Sequence, residues 1–164
     1  MNTTKLRIAA LLVVVMTIGF SFTTVNKITI KGSDTMVILS QQWAEAYMKK
    51  HPGTTIQVTG GGSGVGLAAL INGSTDIANS SRPIKPSELE KIKAKYKKNG
   101  IEIACAKDGL SVFLNKGNTV SELTVQQIGD IFSGKITNWK QVGGADAKIQ
   151  LYGRESSSGT FEFF

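Results

Sequence analysis

Polar and apolar residues alternate one by one through Lys27–Lys31 (KITIK), the period of a half-buried strand. Ser33, Asp34 and Thr35 follow, residue types that accept hydrogen bonds from the first turn of a helix. Met36, Leu39, Trp43 and Ala46 then recur at helical spacing, and His51-Pro52-Gly53 stops the helix. Thr55–Thr59 alternates again as a second strand. Gly60–Gly66 reads as a loop, Leu67–Ile71 as a short helix ended by Asn72-Gly73, and Thr75–Asn79 as a third strand. Pro86 suits the first turn of another helix, with Leu89, Ile92 and Tyr96 as its apolar stripe and Asn99-Gly100 as its stop. Ile101–Ala106 and Leu110–Asn115 read as strands. Thr124–Phe132 reads as a helix with Val125, Ile128 and Ile131/Phe132 inward, and Ile149–Tyr152 as a last strand leading into Gly153-Arg154. Strands alternating with helices predict an α/β protein with a largely parallel sheet. Such sheets bind ligands beyond the carboxyl ends of their strands, where loops feed helix N-termini.

The N-terminus breaks this pattern. Lys5 and Arg7 precede Ile8–Phe20, an apolar run of 13 residues. A bilayer span takes ~20 apolar residues, so the run matches the hydrophobic region of a secretory signal. An uncleaved anchor or a buried helix is the competing reading. Gly19-Phe20-Ser21 is a small-x-small cleavage site, which predicts residues 1–26 as a signal peptide, an exported or periplasmic mature protein, and a new N-terminus between Phe22 and Lys27. No cysteine follows the run to carry a lipid anchor. Cys105, the single cysteine among 164 residues, allows no intrachain disulfide and is expected as a small buried apolar residue.

Charge narrows the choice only slightly. The net charge is +7, and setting aside Lys5 and Arg7 leaves +5 for the rest. This mild excess suits an anion ligand among other possibilities. No arginine-rich run with interleaved aromatics points to nucleic acid. The lysines of Lys91–Lys98 read as a solvated helix face. No metal-ligand cluster and no cofactor motif is visible. Gly61 and Gly66 have the spacing of a phosphate loop, but Leu67-Ala68 stand where Lys and Ser/Thr are required. The dinucleotide pattern fails at Val65. His51 is the only histidine and lies in a turn, which leaves a Ser-His-Asp triad without a base.

The chemistry concentrates at four strand-to-helix junctions: Gly32-Ser33-Asp34-Thr35, Gly60–Gly66, Asn79-Ser80-Ser81-Arg82, and Gly153–Thr160 (GRESSSGT). Each offers donors. The N–H groups of a helix start are unpaired and carry partial positive charge. Serine and threonine add hydroxyls, and arginine adds a planar fork that matches an oxyanion. Taken singly, such serines and threonines are ordinary helix caps. Converging on one cleft, the four would surround a small oxyanion with donors, an arrangement for recognition without chemistry.

In order along the chain, KGSDTM (Lys31–Met36), GGGSGVG (Gly60–Gly66), TDIANSSRPI (Thr75–Ile84), IGDIFSGKITNWKQVGG (Ile128–Gly144) and GRESSSGT (Gly153–Thr160) resemble the phosphate-binding proteins of ABC phosphate importers. The resemblance runs from Lys27 to the end. It implies a periplasmic-binding-protein-like (type II) fold, two α/β lobes joined by crossing strands with the anion held between them. Residues 27–108 would form the first lobe and 109–164 the start of a second, incomplete lobe that stops at Phe164 as a helix begins. The resemblance further implies phosphate contacts from Thr35 and the Met36 N–H, from Ser63 in the glycine loop, from Ser81 and Arg82, and from Arg154, Ser158, Gly159 and Thr160. Family members often carry a carboxylate where this chain has Ser81, so the usual basis for rejecting sulfate does not transfer. Asp34 and Asp76 are the nearby acids. The implied role is a monomeric, non-enzymatic solute-binding protein that delivers inorganic phosphate to the membrane permease subunits of an ABC importer. A binder of another oxyanion (sulfate, molybdate), a secreted enzyme on the same loops, and a sensory or structural protein reusing the fold are the alternatives.

Overall fold

A computed structural model describes residues 26–164. The expected signal peptide lies outside these residues except for its last position. Among the described residues three parallel strands form a sheet in the order β2-β1-β3: β1 (Asn26–Gly32), β2 (Thr54–Thr59) and β3 (Ile77–Asn79). Ile28 pairs with Ile56, Ile30 with Val58 on one side and with Ile77 on the other. The alternation read along Lys27–Lys31 thus matches a strand at the centre of the sheet.

Helix α1 (Val37–Lys50) follows a short 3-10 turn, η1 (Asp34–Met36), and connects β1 to β2. Helix α2 (Ser63–Asn72) connects β2 to β3, and α3 (Pro86–Tyr96) packs beside α2. With right-handed crossovers, a chain that steps from β1 to β2 and then back past β1 to β3 places α1 and α2 on opposite faces. The loops after β1 and β3 therefore part at a topological switch point, where such sheets open a crevice.

The stripe of α1 differs from the expectation. Ser40 and Ala44 are the buried positions, whereas Trp43 is 47% exposed and Ala46 is also exposed. The helix turns its small residues to the sheet because they allow a close approach. The buried Asn79 amide donates to Ser40 Oγ at 2.8 Å, and Met48 Sδ accepts from the Ile56 N–H. Helix α2 starts within the segment expected as a loop, since Ser63, Gly64 and Gly66 are already helical. A Cβ at Gly66 would run into the Lys31 carbonyl and Gly32, so glycine there lets α2 lie directly on the end of β1. Helix α3 buries Ile92 but leaves Tyr96 largely exposed, its hydroxyl donating to the Leu70 carbonyl. It ends at Lys97, in the left-handed region at φ 56°, ahead of the expected Asn99-Gly100.

The later strands do not form. Residues 101–115 are without regular structure, with Ile101, Ile103 and Phe113 exposed, the last to 91%. Cys105 is exposed as well, against the expectation of burial. Ile149–Tyr152 is reduced to a single antiparallel bridge nearby, Asn138 to Lys148, with Ile149 buried and Tyr152 exposed. An alternating segment becomes a strand only when a neighbour completes its hydrogen-bond ladder. These segments meet no such neighbour among the described residues. Helix α4 (Val125–Phe132) forms as expected, started by a capping box in which Thr124 Oγ1 accepts from the Gln127 N–H and Gln127 accepts from the Thr124 N–H. It buries Ile131 and half-buries Ile128, while Val125 faces outward. A 3-10 turn, η2 (Trp139–Val142), and a short helix, α5 (Gly159–Phe163), complete the elements. The buried apolar residues fall into two sets, Ala44, Leu67, Ala69 and Ile92 around the sheet, and Val120, Ile131 and Ile149 beyond it. No helix among the described residues is long and apolar enough to cross a membrane.

Candidate anion-binding site

The carboxyl ends of the three strands are tied together by backbone bonds. The Ser33 N–H donates to the Asn79 carbonyl at 2.9 Å, and the Gly62 N–H to the Gly32 carbonyl at 3.0 Å. Gly62 adopts φ +91°, a conformation open to glycine and strained for other residues, and this sharp turn delivers Ser63 to the first position of α2. Ser63 is fully buried. Its hydroxyl accepts from the Ser81 N–H at 3.0 Å and lies 3.2 Å from the Ser81 hydroxyl. The second and third junctions therefore share one pair of hydroxyls.

The fourth junction packs onto that pair. The Gly64 N–H donates to the Ser157 carbonyl at 3.0 Å. Ser158 is buried and caps α5, its hydroxyl accepting from the Phe161 N–H. Gly159 stands so close that a Cβ there would collide with the hydroxyls of both Ser63 and Ser81. Thr160 is half-buried beside it.

Asp34 links the first junction to the rest. Its Oδ1 accepts from the Gly61 N–H at 2.8 Å, and its Oδ2 from Arg154 Nη2 at 3.2 Å. Arg154 is 41% exposed and also pairs with Glu155 at 3.0 Å. Glu155 first, then Asp34, hold the guanidinium firmly protonated, and Arg154 in turn pushes the Glu155 carboxyl below the usual carboxylate range. Thr35 is exposed and Met36 half-buried at this edge. The second, third and fourth predicted junctions thus meet around Ser63, Ser81 and Gly159, and the first joins them through Asp34, at Gly61 and at Arg154.

Two acidic and basic residues fall differently from a simple reading of proximity. Asp76 lies at the opposite end of β3, where its carboxylate accepts from the N–H and hydroxyl of Thr29, both at 2.7 Å. Arg82 adjoins Ser81, but its guanidinium, only 7% exposed, makes a two-pronged pair with Glu88 at 2.8 and 2.9 Å. Glu88 chiefly raises the Arg82 pKa, and Arg82 chiefly lowers that of Glu88. Glu88 and Glu162, which also faces Arg82, carried no recognisable signal in the sequence, because their partner is distant along the chain or on another element. Two concavities lie away from the junctions, one of about 530 Å³ lined by residues such as Leu70, Thr75 and Tyr96, the other against Met48 and Ile56. The hydroxyl- and arginine-bearing junctions meet away from both concavities.

The family profile of the PBP superfamily domain matches residues 21–164. The chain belongs to the PBP superfamily. It is similar to the phosphate-binding protein PstS of Staphylococcus haemolyticus, at 37% identity over 140 residues that cover 82% of this chain and 43% of that protein. The PstS of Bacillus subtilis is 38% identical over 135 residues, covering 82% and 43%. Among solved structures, a Clostridium perfringens substrate-binding protein with bound phosphate matches with a TM-score of 0.74 and 36% identity, over 84% of this chain and 54% of that one. An ABC-type phosphate transport receptor from Vibrio cholerae matches with a TM-score of 0.63 and 37% identity, over 84% and 53%. The α/β fold with its parallel sheet is that of this superfamily. The chain spans about half the length of the relatives it matches.

Proposed function

We propose that this chain is part of an exported solute-binding protein that captures inorganic phosphate for an ABC-type importer and performs no chemistry on it. The observation that carries this reading is the meeting of Ser63, Ser81 and Gly159, with Ser158, Thr160 and Arg154 on the same segment as Gly159. In this reading an anion seats against the Ser63–Ser81 hydroxyl pair. The first turn of α2 supplies partial positive charge, Thr160 a hydroxyl and Arg154 a full charge, although in this structure its Nε and Nη2 are engaged by Glu155 and Asp34 and would have to exchange them for the anion. Thr35 would add a hydroxyl from the first junction, whereas the Met36 N–H, expected as a donor, is already given to the Ser33 carbonyl at 3.2 Å. Arg82 adds charge from behind Ser81, its own donors being engaged by Glu88.

Residues 27–108 and 109–164 are assigned to two lobes that close on the anion, which the two separate sets of buried apolar residues support. Phosphate as the ligand is supported by the similarity to the PstS proteins and to a substrate-binding protein with bound phosphate. Membrane permease subunits would receive the anion from a monomeric binding protein.

The test is equilibrium titration of the full-length protein with radiolabelled phosphate, and with sulfate and molybdate as competitors. Saturable phosphate binding is expected, and the sulfate arm measures how far the two anions are told apart with Ser81 in place of the carboxylate. Preferential binding of sulfate or molybdate would reassign the ligand, and turnover of a phosphate ester without retention of phosphate would overturn the reading.

A further inference from the structure

Glu162 lies one helical turn beyond Ser158, and its N–H donates to the Ser158 carbonyl at 3.2 Å. Its side chain reaches back to the segment after β3. Oε2 stands 2.9 Å from Arg82 Nε, and Oε1 pairs with Lys85 Nζ. Arg82 needs this partner. Its guanidinium is 7% exposed, and a charge so far from water must be matched by opposite charge. Glu88 satisfies both terminal nitrogens and is itself fixed, because the Lys85 N–H donates to its carboxylate at the start of α3. The buried Nε is left, facing Glu162 at ion-pair distance but with its N–H turned off the line to the oxygen, so that no hydrogen bond is formed. Charge attraction alone holds this contact.

From this geometry we infer that Glu162 is a positioning residue for the anion site, a clasp that holds the Ser158-Gly159-Thr160 turn against Ser63 and Ser81 and thereby governs how fast a bound anion leaves. Ser158 and Glu162 belong to one turn of α5, so any movement that draws Gly159 off the two serines also draws Glu162 from Arg82 and Lys85. Opening the site strips a buried guanidinium of one of its two countercharges. Opening is therefore resisted whichever way the anion passes, outward or inward. Arg82 takes a second role here: it is the fixed post of the clasp, held by Glu88.

The inference rests on the anion-binding reading above, and its test is separable from that reading. Phosphate release and association are followed by stopped-flow on the full-length protein for wild type, Glu162→Gln, Glu162→Asp and Arg82→Met. Glu162→Gln keeps the size of the side chain and removes its charge, and a partly exposed surface position tolerates the exchange. Release is expected to quicken up to about fivefold, the upper range of a partly screened ion pair, and association to quicken with it. Glu162→Asp, which keeps the charge one methylene short, should fall between wild type and Glu162→Gln. In an Arg82→Met background Glu162→Gln should have little further effect. Release at the wild-type rate in Glu162→Gln overturns the inference, as does an equal effect of that change with and without Arg82. If Arg82→Met does not fold, the order of the Asp and Gln variants decides, and a Glu162→Asp variant as fast as Glu162→Gln counts against the clasp. Absence of phosphate binding in the wild type would instead remove the functional reading.

Discussion

Replacing Gly159 with alanine puts a methyl group where the two serine hydroxyls already are. An ideal Cβ at this position would lie 2.6 Å from Ser81 Oγ, closer still to Ser63 Oγ, and 3.0 Å from Ser63 Cβ. Neither serine can yield. Ser63 is fully buried at the start of α2, and its hydroxyl is held by the Ser81 N–H. The turn that carries Gly159 must retreat instead, by about 1 Å to restore ordinary contact distances. Overpacking of this kind costs about 1–3 kcal/mol. If the turn supplies an N–H to a bound anion, the lost charge-assisted bond is worth about 1.5–3 kcal/mol, or an affinity lower by roughly 10–100-fold. Gly129→Ala is the control. Its Cβ points into open space in the interior of α4, so it should leave affinity unchanged and stabilise the fold by about 0.5–1 kcal/mol through helix propensity. Isothermal titration with phosphate reads affinity, and thermal denaturation reads stability. A Gly159→Ala protein that binds phosphate within twofold of wild type would refute the placement of the anion at this turn.

Arg154→Ala should weaken phosphate binding at least about thirtyfold, or roughly 2 kcal/mol. The melting temperature of the ligand-free protein should hardly change, because the Arg154 pairs with Asp34 and Glu155 are solvent-exposed; titration against Lys95→Ala, a change on the solvated face of α3, decides it. Arg82→Ala should also weaken binding, by loosening the Ser81 segment and the contact with Glu162. Asp76→Asn tests the far end of the sheet: the Thr29 N–H first and the Thr29 hydroxyl second depress the Asp76 pKa in the folded state. The stability that Asp76 contributes is therefore present above about pH 4, the range of an unperturbed aspartate, and is lost as pH falls through the lower folded value. Melting curves of Asp76→Asn and wild type should differ at neutral pH and converge as acid takes the carboxyl below its depressed folded value, and a gap unchanged by acid would show that the carboxylate charge is not responsible. Sequencing of secreted material should find a mature N-terminus between Phe22 and Lys27, and protein still beginning at Met1 would exclude cleavage.

The order of elements through α3 was legible in the chain because each rests on local physics. Alternation marks β1 and β2, and Pro86 and Thr124 mark the starts of α3 and α4. The four donor-bearing junctions were legible for the same reason, since hydroxyls, glycines and arginine at helix starts are local features. Which face of α1 lies inward was not, because Trp43 outweighs Ser40 and Ala44 in any hydrophobic count, and only the closeness of the sheet favours the small residues. Nor was the fate of residues 101–115, whose alternation suits a strand but whose ladder depends on a neighbour remote in sequence. Tertiary structure alone decided that Asp34 joins the junctions and Asp76 does not, although both are acids beside a strand. It likewise decided that Arg82, next to the site serine, turns to Glu88 and Glu162. A buried charge goes where its countercharges are, and their positions emerge only when the distant segments at Ser81 and Ser158 are brought together.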